Sequence, residues 1–188
     1  MKGKTMKYRN VIVLNDGNEC LLRNAEASDA QAVYDIFCLT HEQTEHLLTY
    51  PDENSFDLAQ ERQFLIEQEE SNSAVELCAF VNGQLAGTAG IEPVGTMDKV
   101  KHRADFGISV DRAYWRKGIG RALTDACIQC AKQAGYAQIE LNVVSTNTGA
   151  IALYRSAGFA EYGRNPRGFR TRDGRWQELV LMRLELAP

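Results

Sequence analysis

The chain has 188 residues, a formal net charge of -4, 44% hydrophobic residues and 24% charged residues. That length suits one domain with a sizeable core, and the acidic balance argues against nucleic acid as the main partner. No apolar run approaches the ~20 residues of a membrane span, and the basic start Met1–Lys7 leads into no apolar core, so the cytoplasm is the expected compartment.

Residues 8–14 read as a strand, Asn15-Asp16-Gly17-Asn18 as a turn, and residues 20–23 as the returning strand. Ser28-Asp29 reads as an N-cap, followed by a helical stripe of Ala32, Val33, Ile36 and Phe37 to about Thr40. Residues 41–55 are polar and irregular, broken at Pro51. A second helix is predicted over 57–70, with Ser55 as its cap and Phe56, Phe64 and Leu65 as its apolar contacts. Residues 75–81 and 85–91 form a hairpin across Asn82-Gly83.

A loop over 93–101 leads to a central strand over 102–110, whose Phe106, Ile108 and Val110 alternate onto one face. A helix over 118–134 follows, capped by Gly135. Then come a strand over 138–144, a short helix over 147–157 closed by Gly158, and a strand over 159–164. A basic loop over 166–174 and a final strand over 176–186 end the pattern. This order predicts an α/β (α+β) fold: a central mixed sheet flanked by helices on both faces. The strands joined by the 118–134 helix should be parallel. With no repeat or linker, residues 1–188 read as one domain, with residues 8–18 as an N-terminal hairpin arm.

Chemistry concentrates where the central strand hands over to the helix, at Arg116-Lys117-Gly118-Ile119-Gly120-Arg121. The first N–H groups of a helix lack intrahelical partners and carry partial positive charge. Gly118 and Gly120 have no Cβ, so an anion can approach the backbone closely. Arg116, Lys117 and Arg121 add three cations, which suits a pyrophosphate better than a lone carboxylate. The competing reading is a plain glycine turn with solvated cations.

This segment resembles the GNAT superfamily of acetyl-CoA-dependent N-acetyltransferases. Its signature is Gln/Arg-x-x-Gly-x-Gly/Ala after a strand ending in Val. Gly118 and Gly120 occupy the glycine positions, while Trp115 stands where Gln or Arg is usual and Arg116 lies one place later. A second match is Asn147-x-x-Ala150-x-x-Leu153-Tyr154-x-x-x-Gly158-Phe159, similar to the segment that covers the pantetheine arm. The order of elements also resembles that fold, from about residue 19 to 186. Read from the residues alone, Asn147 is a helix cap or amide partner, and Tyr154 shares a face with Ala150 and Leu153. Its polar tip then needs a partner, as in any buried tyrosine.

The resemblance implies transfer of an acetyl group from acetyl-CoA to a primary amine, by direct attack in a ternary complex and without a metal. It implies donor contacts at Ile108 and Val110, at Arg116, Lys117, Gly118, Ile119, Gly120 and Arg121, and at Asn147 and Ala150. The end of the central strand would splay from the 138–144 strand. Its N–H groups near 108–110 would polarise the thioester carbonyl. Tyr154 would be the general acid, and Asp105 a candidate base acting through water or a structural partner of an arginine. Glu140 and His102 are weaker candidates. A lysine-like amine, with pKa about 10.4, must shed a proton before it can attack.

Residues 41–50 are not an HExxH zinc motif, because Glu45 stands in the fifth position. The resemblance makes this region the roof of the acceptor site, where Glu42, Glu45, Asp52 and Glu53 could favour a cationic amine. His41 and Glu45 lie at i, i+4 and one helical turn could join them. Cys127 and Cys130 read as buried helical thiols, since redox C-x-x-C pairs usually open a helix.

A small amine or amino acid is the expected acceptor, with a protein N-terminus as an alternative. A non-catalytic acyl-CoA-binding module is the alternative from another class. A dinucleotide-binding oxidoreductase is disfavoured, because Leu123 occupies the third glycine position of its fingerprint. Homodimers are common in this family, but no residue pattern identifies an interface.

Overall fold

Alternating strands and amphipathic helices assemble one mixed sheet, seen in a computed structural model that describes residues 5–186. The strands are β1 (Arg9–Val13), β2 (Glu19–Asn24), β3 (Val75–Val81), β4 (Gln84–Pro93), β5 (Arg103–Val110), β6 (Gln138–Val144), β7 (Ala160–Arg170) and β8 (Trp176–Glu185). The helices are α1 (Ala30–Glu42), α2 (Leu58–Glu70), α3 (Ile119–Ala134) and α4 (Thr148–Ser156). The sheet order is β1-β2-β3-β4-β5-β6-β8-β7, and β5 and β6 are its parallel pair. This is the predicted mixed sheet with helices on both faces.

Leu123, Ala126, Cys127, Cys130 and Ala131 of α3 pack on one face with Ile91, Phe106, Ile139 and Met182. Cys127 and Cys130 are fully buried in that helix. On the other face Ala30 and Val33 of α1 and Leu65 of α2 pack against Ala25 and Cys78. The β3–β4 hairpin turns on Asn82 and Gly83, both with positive φ (50° and 79°). That conformation matches the right-handed twist of the flanking strands.

Four expectations need correction. Helix α2 is capped by Asp57, not Ser55: its carboxylate accepts from the Gln60 N–H (2.8 Å), and Gln60 Oε1 accepts from the Asp57 N–H (2.9 Å). The reciprocal bond makes Asp57 the better cap. Helix α1 runs two residues past Thr40, to Glu42. The basic stretch predicted as a loop over 166–174 is mostly strand, because β7 continues to Arg170. It absorbs Pro166 and Gly168 in a register shift between Asn165 and Phe169. An edge strand tolerates such a proline, whose missing N–H faces no neighbour.

The fourth correction concerns Asp29, which does not cap α1 with its side chain. It is buried and takes a two-pronged bond from Arg23 (2.6 and 2.8 Å), plus the Glu26 N–H (2.8 Å). Burial alone would raise its carboxyl. The Arg23 bond and the Glu26 N–H outweigh that, and the net shift is downward. Arg23→Ala would leave a buried charge unpaired and should cost about 3–5 kcal/mol in denaturant unfolding. A carboxyl with a lowered folded-state pKa stabilises above its unfolded pKa. This contribution should therefore fade as pH drops below about 4, and should be absent from the variant's pH profile.

Candidate active site

Parallel pairing between β5 and β6 stops at Asp105–Glu140. Beyond it β5 stays paired with β4 as far as Val110, and β6 stays paired with β8 as far as Val144. The two strands therefore open into a V. Antiparallel pairing alternates, and the Asp111 N–H bonds Ala86 O (2.9 Å). So Ser109 and Gly107 spend their polar groups on β4, while Ile108 and Val110 turn theirs toward the gap. Trp115 Nε1 takes the Val110 carbonyl (2.7 Å). The Val110 and Ile108 N–H groups face a cleft of about 630 Å³ that both residues line.

The glycine turn forms one wall. Gly118 caps α3 with φ of 104°, a left-handed conformation that glycine adopts without strain. An added Cβ there would meet only Asn15 Oδ1, at 3.9 Å, so the space over the turn is open. The first intrahelical bond runs from the Ala122 N–H to Gly118 O (3.1 Å). The N–H groups of 119–121 precede it and lack helical acceptors. Gly120 serves a different purpose. A Cβ there would come 3.3 Å from Leu153, so it lets α4 approach α3.

The three cations of the turn separate in their roles. Arg116 lines the cleft and has no acidic partner among the described residues. Lys117 pairs with Asp16 (3.1 Å), and Arg121 with Asp125 (2.7 Å) and the Ser156 carbonyl (3.2 Å). The side chain of Ile119 is buried in the core. Only its backbone is available to a ligand. The β1–β2 turn docks here: Asn15 donates from Nδ2 to Arg116 O and from its N–H to Lys117 O, both at 3.0 Å.

Helix α4 forms the opposite wall. Asn147 caps it, its carboxamide oxygen accepting from the Ala150 N–H (3.2 Å), and both residues line the cleft. Tyr154 also lines it, with its ring held by Phe106 (edge-on, centroids 6.1 Å apart) and Phe159 (5.9 Å). Its hydroxyl has no partner among the described residues, and burial pushes its pKa well up. A structural tyrosine would hydrogen-bond that hydroxyl.

Residues 30–159 match the model of the acetyltransferase (GNAT) family. The chain belongs to that family. The ribosomal protein bS18-alanine N-acetyltransferase of Escherichia coli K12 is 39% identical over 82 residues, which is 44% of this chain and 55% of that protein. The match thus spans about half the length of the curated relative. A GNAT-family acetyltransferase from Streptococcus pneumoniae superposes with a TM-score of 0.85 at 27% identity, covering 89% of this chain and 99% of that one. The Salmonella typhimurium protein yncA, solved with its cofactor acetyl-CoA, gives 0.80 at 22% identity, with 95% of each chain covered.

On this GNAT fold Asp105 lies on the face away from α3 and lines neither the cleft nor the chamber described next. Partial desolvation raises its pKa, and Glu140 and Glu92 add to the shift. It has no arginine partner among the described residues: Arg103 pairs with Glu140 instead, and that bond holds the Glu140 carboxyl low. The roof rearranges its predicted groups. His41 stacks on Phe37 and bonds its carbonyl, while Glu45 accepts from the Tyr50 hydroxyl, so the two do not meet. Asp52 is taken by Arg172 (2.6 Å).

Sequence reasoning missed His46, which lines the cleft and meets Thr146 (Nε2 to Oγ1, 3.3 Å), and Glu61 and Glu76. The two glutamates line a second chamber, of about 320 Å³, under α1 and α2. Ser109 lines both spaces. Period-two alternation would have set Glu76 beside Cys78 on one face, but nothing local marks that face as hollow.

Proposed function

We propose that this chain is an N-acetyltransferase that moves an acetyl group from acetyl-CoA to a primary amine of a small molecule or amino acid, in a ternary complex. The observation that carries the reading is one cleft bordered by an open β5 edge, a glycine turn and an unpartnered tyrosine hydroxyl. The open space over Gly118 suits the pyrophosphate of the donor, with Arg116 as its cation. Asn147 and Ala150 flank the path from there to Tyr154. When bound, the donor supplies an activated thioester.

The Ile108 and Val110 N–H groups are fixed donors for a polarised carbonyl oxygen, requiring no rearrangement. Tyr154 holds a proton at Oη, available to a departing thiolate. A pure binding module would have no use for that unpartnered hydroxyl. Expression in the cytoplasm belongs to the same reading; no helix among the described residues is long and apolar enough to cross a membrane.

Thermal unfolding with acetyl-CoA, with NAD as control, tests the donor. At about 100 times its dissociation constant a native-state ligand adds about 2.7 kcal/mol. For a chain of this size the midpoint should rise by roughly 5–10 °C, with none from NAD. No rise at millimolar acetyl-CoA would leave the glycine turn as only a turn. The Escherichia coli relative, named for a ribosomal-protein alanine, favours a protein N-terminus as second acceptor. Thiol release with free amino acids and with alanine-start peptides separates the two.

A further inference from the structure

The chamber under α1 and α2 gathers carboxyl groups that face no cation among the described residues. Glu61, from α2, is 94% buried (6% exposed) and lines the space, yet its side chain has no hydrogen bond or ion pair among the described residues. Burial raises its pKa. Glu76, from β3, reaches over Gly90 of β4: a Cβ on Gly90 would come 2.3 Å from Glu76 Oε2. Across the sheet Gly90 pairs with Gly107 of β5, where an added Cβ would meet nothing within 4 Å. Two glycines side by side thus leave a hollow beside a carboxylate. Phe37, Phe56 and Phe64 contribute aromatic walls, and no lysine or arginine among the described residues lines the chamber.

Ser109 borders both the chamber and the cleft. Ser109 lies one strand across and two residues along from Gly90. With strands about 4.8 Å apart and about 3.4 Å of rise per residue, that separation is about 8 Å. A nitrogen attacking at the junction is therefore not the nitrogen that Glu76 would hold.

We propose that Glu61 and Glu76 bind a second, cationic nitrogen of the acceptor, so that the preferred substrates are amines bearing a further ammonium or guanidinium group about 8 Å from the reacting one. The proposal rests on the transferase reading above and names its substrate class. An aromatic-walled, acidic space with no cation among the described residues stabilises such a group through desolvated charge pairing and cation–π contact. Binding should also depend on pH. Burial pushes Glu76 up to about 7, with Glu61 from α2 and Glu92 from β4 adding to the rise and the Thr88 hydroxyl opposing it. Cys78 on the same strand is held neutral, and Glu53 lines the chamber from the loop before α2. The aliphatic amine stays charged throughout, so affinity should fall as pH drops through about 7 and Glu76 protonates.

Calorimetric titration of the full chain with α,ω-diaminopentane, the matching amino alcohol and pentylamine tests this, with Glu61→Gln, Glu76→Gln and the double variant alongside. The diamine should bind at least tenfold more tightly than the amino alcohol, and the double variant should lose that preference. Equal affinities, or no saturable diamine binding, would overturn the proposal. The glutamine variants remove buried charge at constant shape, and their unfolding midpoints report folding independently. The acetyl-CoA shift in the same samples separates the two readings. If it persists without a diamine preference, only the cation site fails. If the native chain lacks it, the transferase reading fails first.

Discussion

Tyr154→Phe should lower turnover by about 10²- to 10⁴-fold, the usual contribution of a positioned acid, with acetyl-CoA affinity nearly unchanged. The structure makes this a clean substitution. The ring is fixed by Phe106 and Phe159, and both contacts survive in phenylalanine. The hydroxyl has no partner among the described residues, so its loss strands no buried group. Stability should change by less than about 1 kcal/mol. Steady-state kinetics and the acetyl-CoA unfolding shift, measured on the same preparation, check both halves. Burial raises the tyrosine pKa, so the group stays protonated across the neutral range and should add no alkaline limb there. Full turnover in the variant would remove Tyr154 from the mechanism and revive the binding-module reading.

Gly118→Asp should weaken acetyl-CoA binding by 100-fold or more while leaving the chain folded. A φ of 104° strains any side chain, but aspartate is among the residues that enter left-handed backbone most readily, and a carboxylate at a helix N-terminus is favourable in itself. Its charge would occupy the place proposed for the pyrophosphate. At 4 Å, two unit charges repel by about 4 kcal/mol at an effective dielectric of 20, before loss of the backbone contacts. The informative result is a normal unfolding midpoint without ligand and no shift with it. An unchanged shift would place the donor phosphates elsewhere, and a chain that fails to fold would assign Gly118 a structural role. Gly118→Asn, similar in shape and uncharged, then separates charge from strain.

Much of this protein was written in short stretches of chain. Asn82-Gly83 specified its hairpin because two consecutive positive φ angles select those residues. Strand β6 came out at its predicted limits, and the Gly118 and Gly135 positions bracket α3 as a left-handed start and stop. The basic stretch in β7 was misread for a related reason. Proline and glycine signal a turn locally, but pairing along β8 held them in an edge strand with a bulge.

The sequence by itself determined the order of elements, the glycine turn after β5 and the face shared by Ala150, Leu153 and Tyr154. Each rests on residues within a turn or two of one another, where backbone sterics and side-chain periodicity act directly. Tertiary structure alone decided which charges are neutralised and which face open space. Asn15 docks on Arg116 from 101 residues away, and His46 meets Thr146 across 100. Arg172 takes Asp52 out of the roof's acidic set, while Glu61 and Glu76 arrive from α2 and β3 to line one chamber. Loop closure over such distances carries no local signature, because its stabilisation comes from burial and pairing that exist only once the sheet has formed.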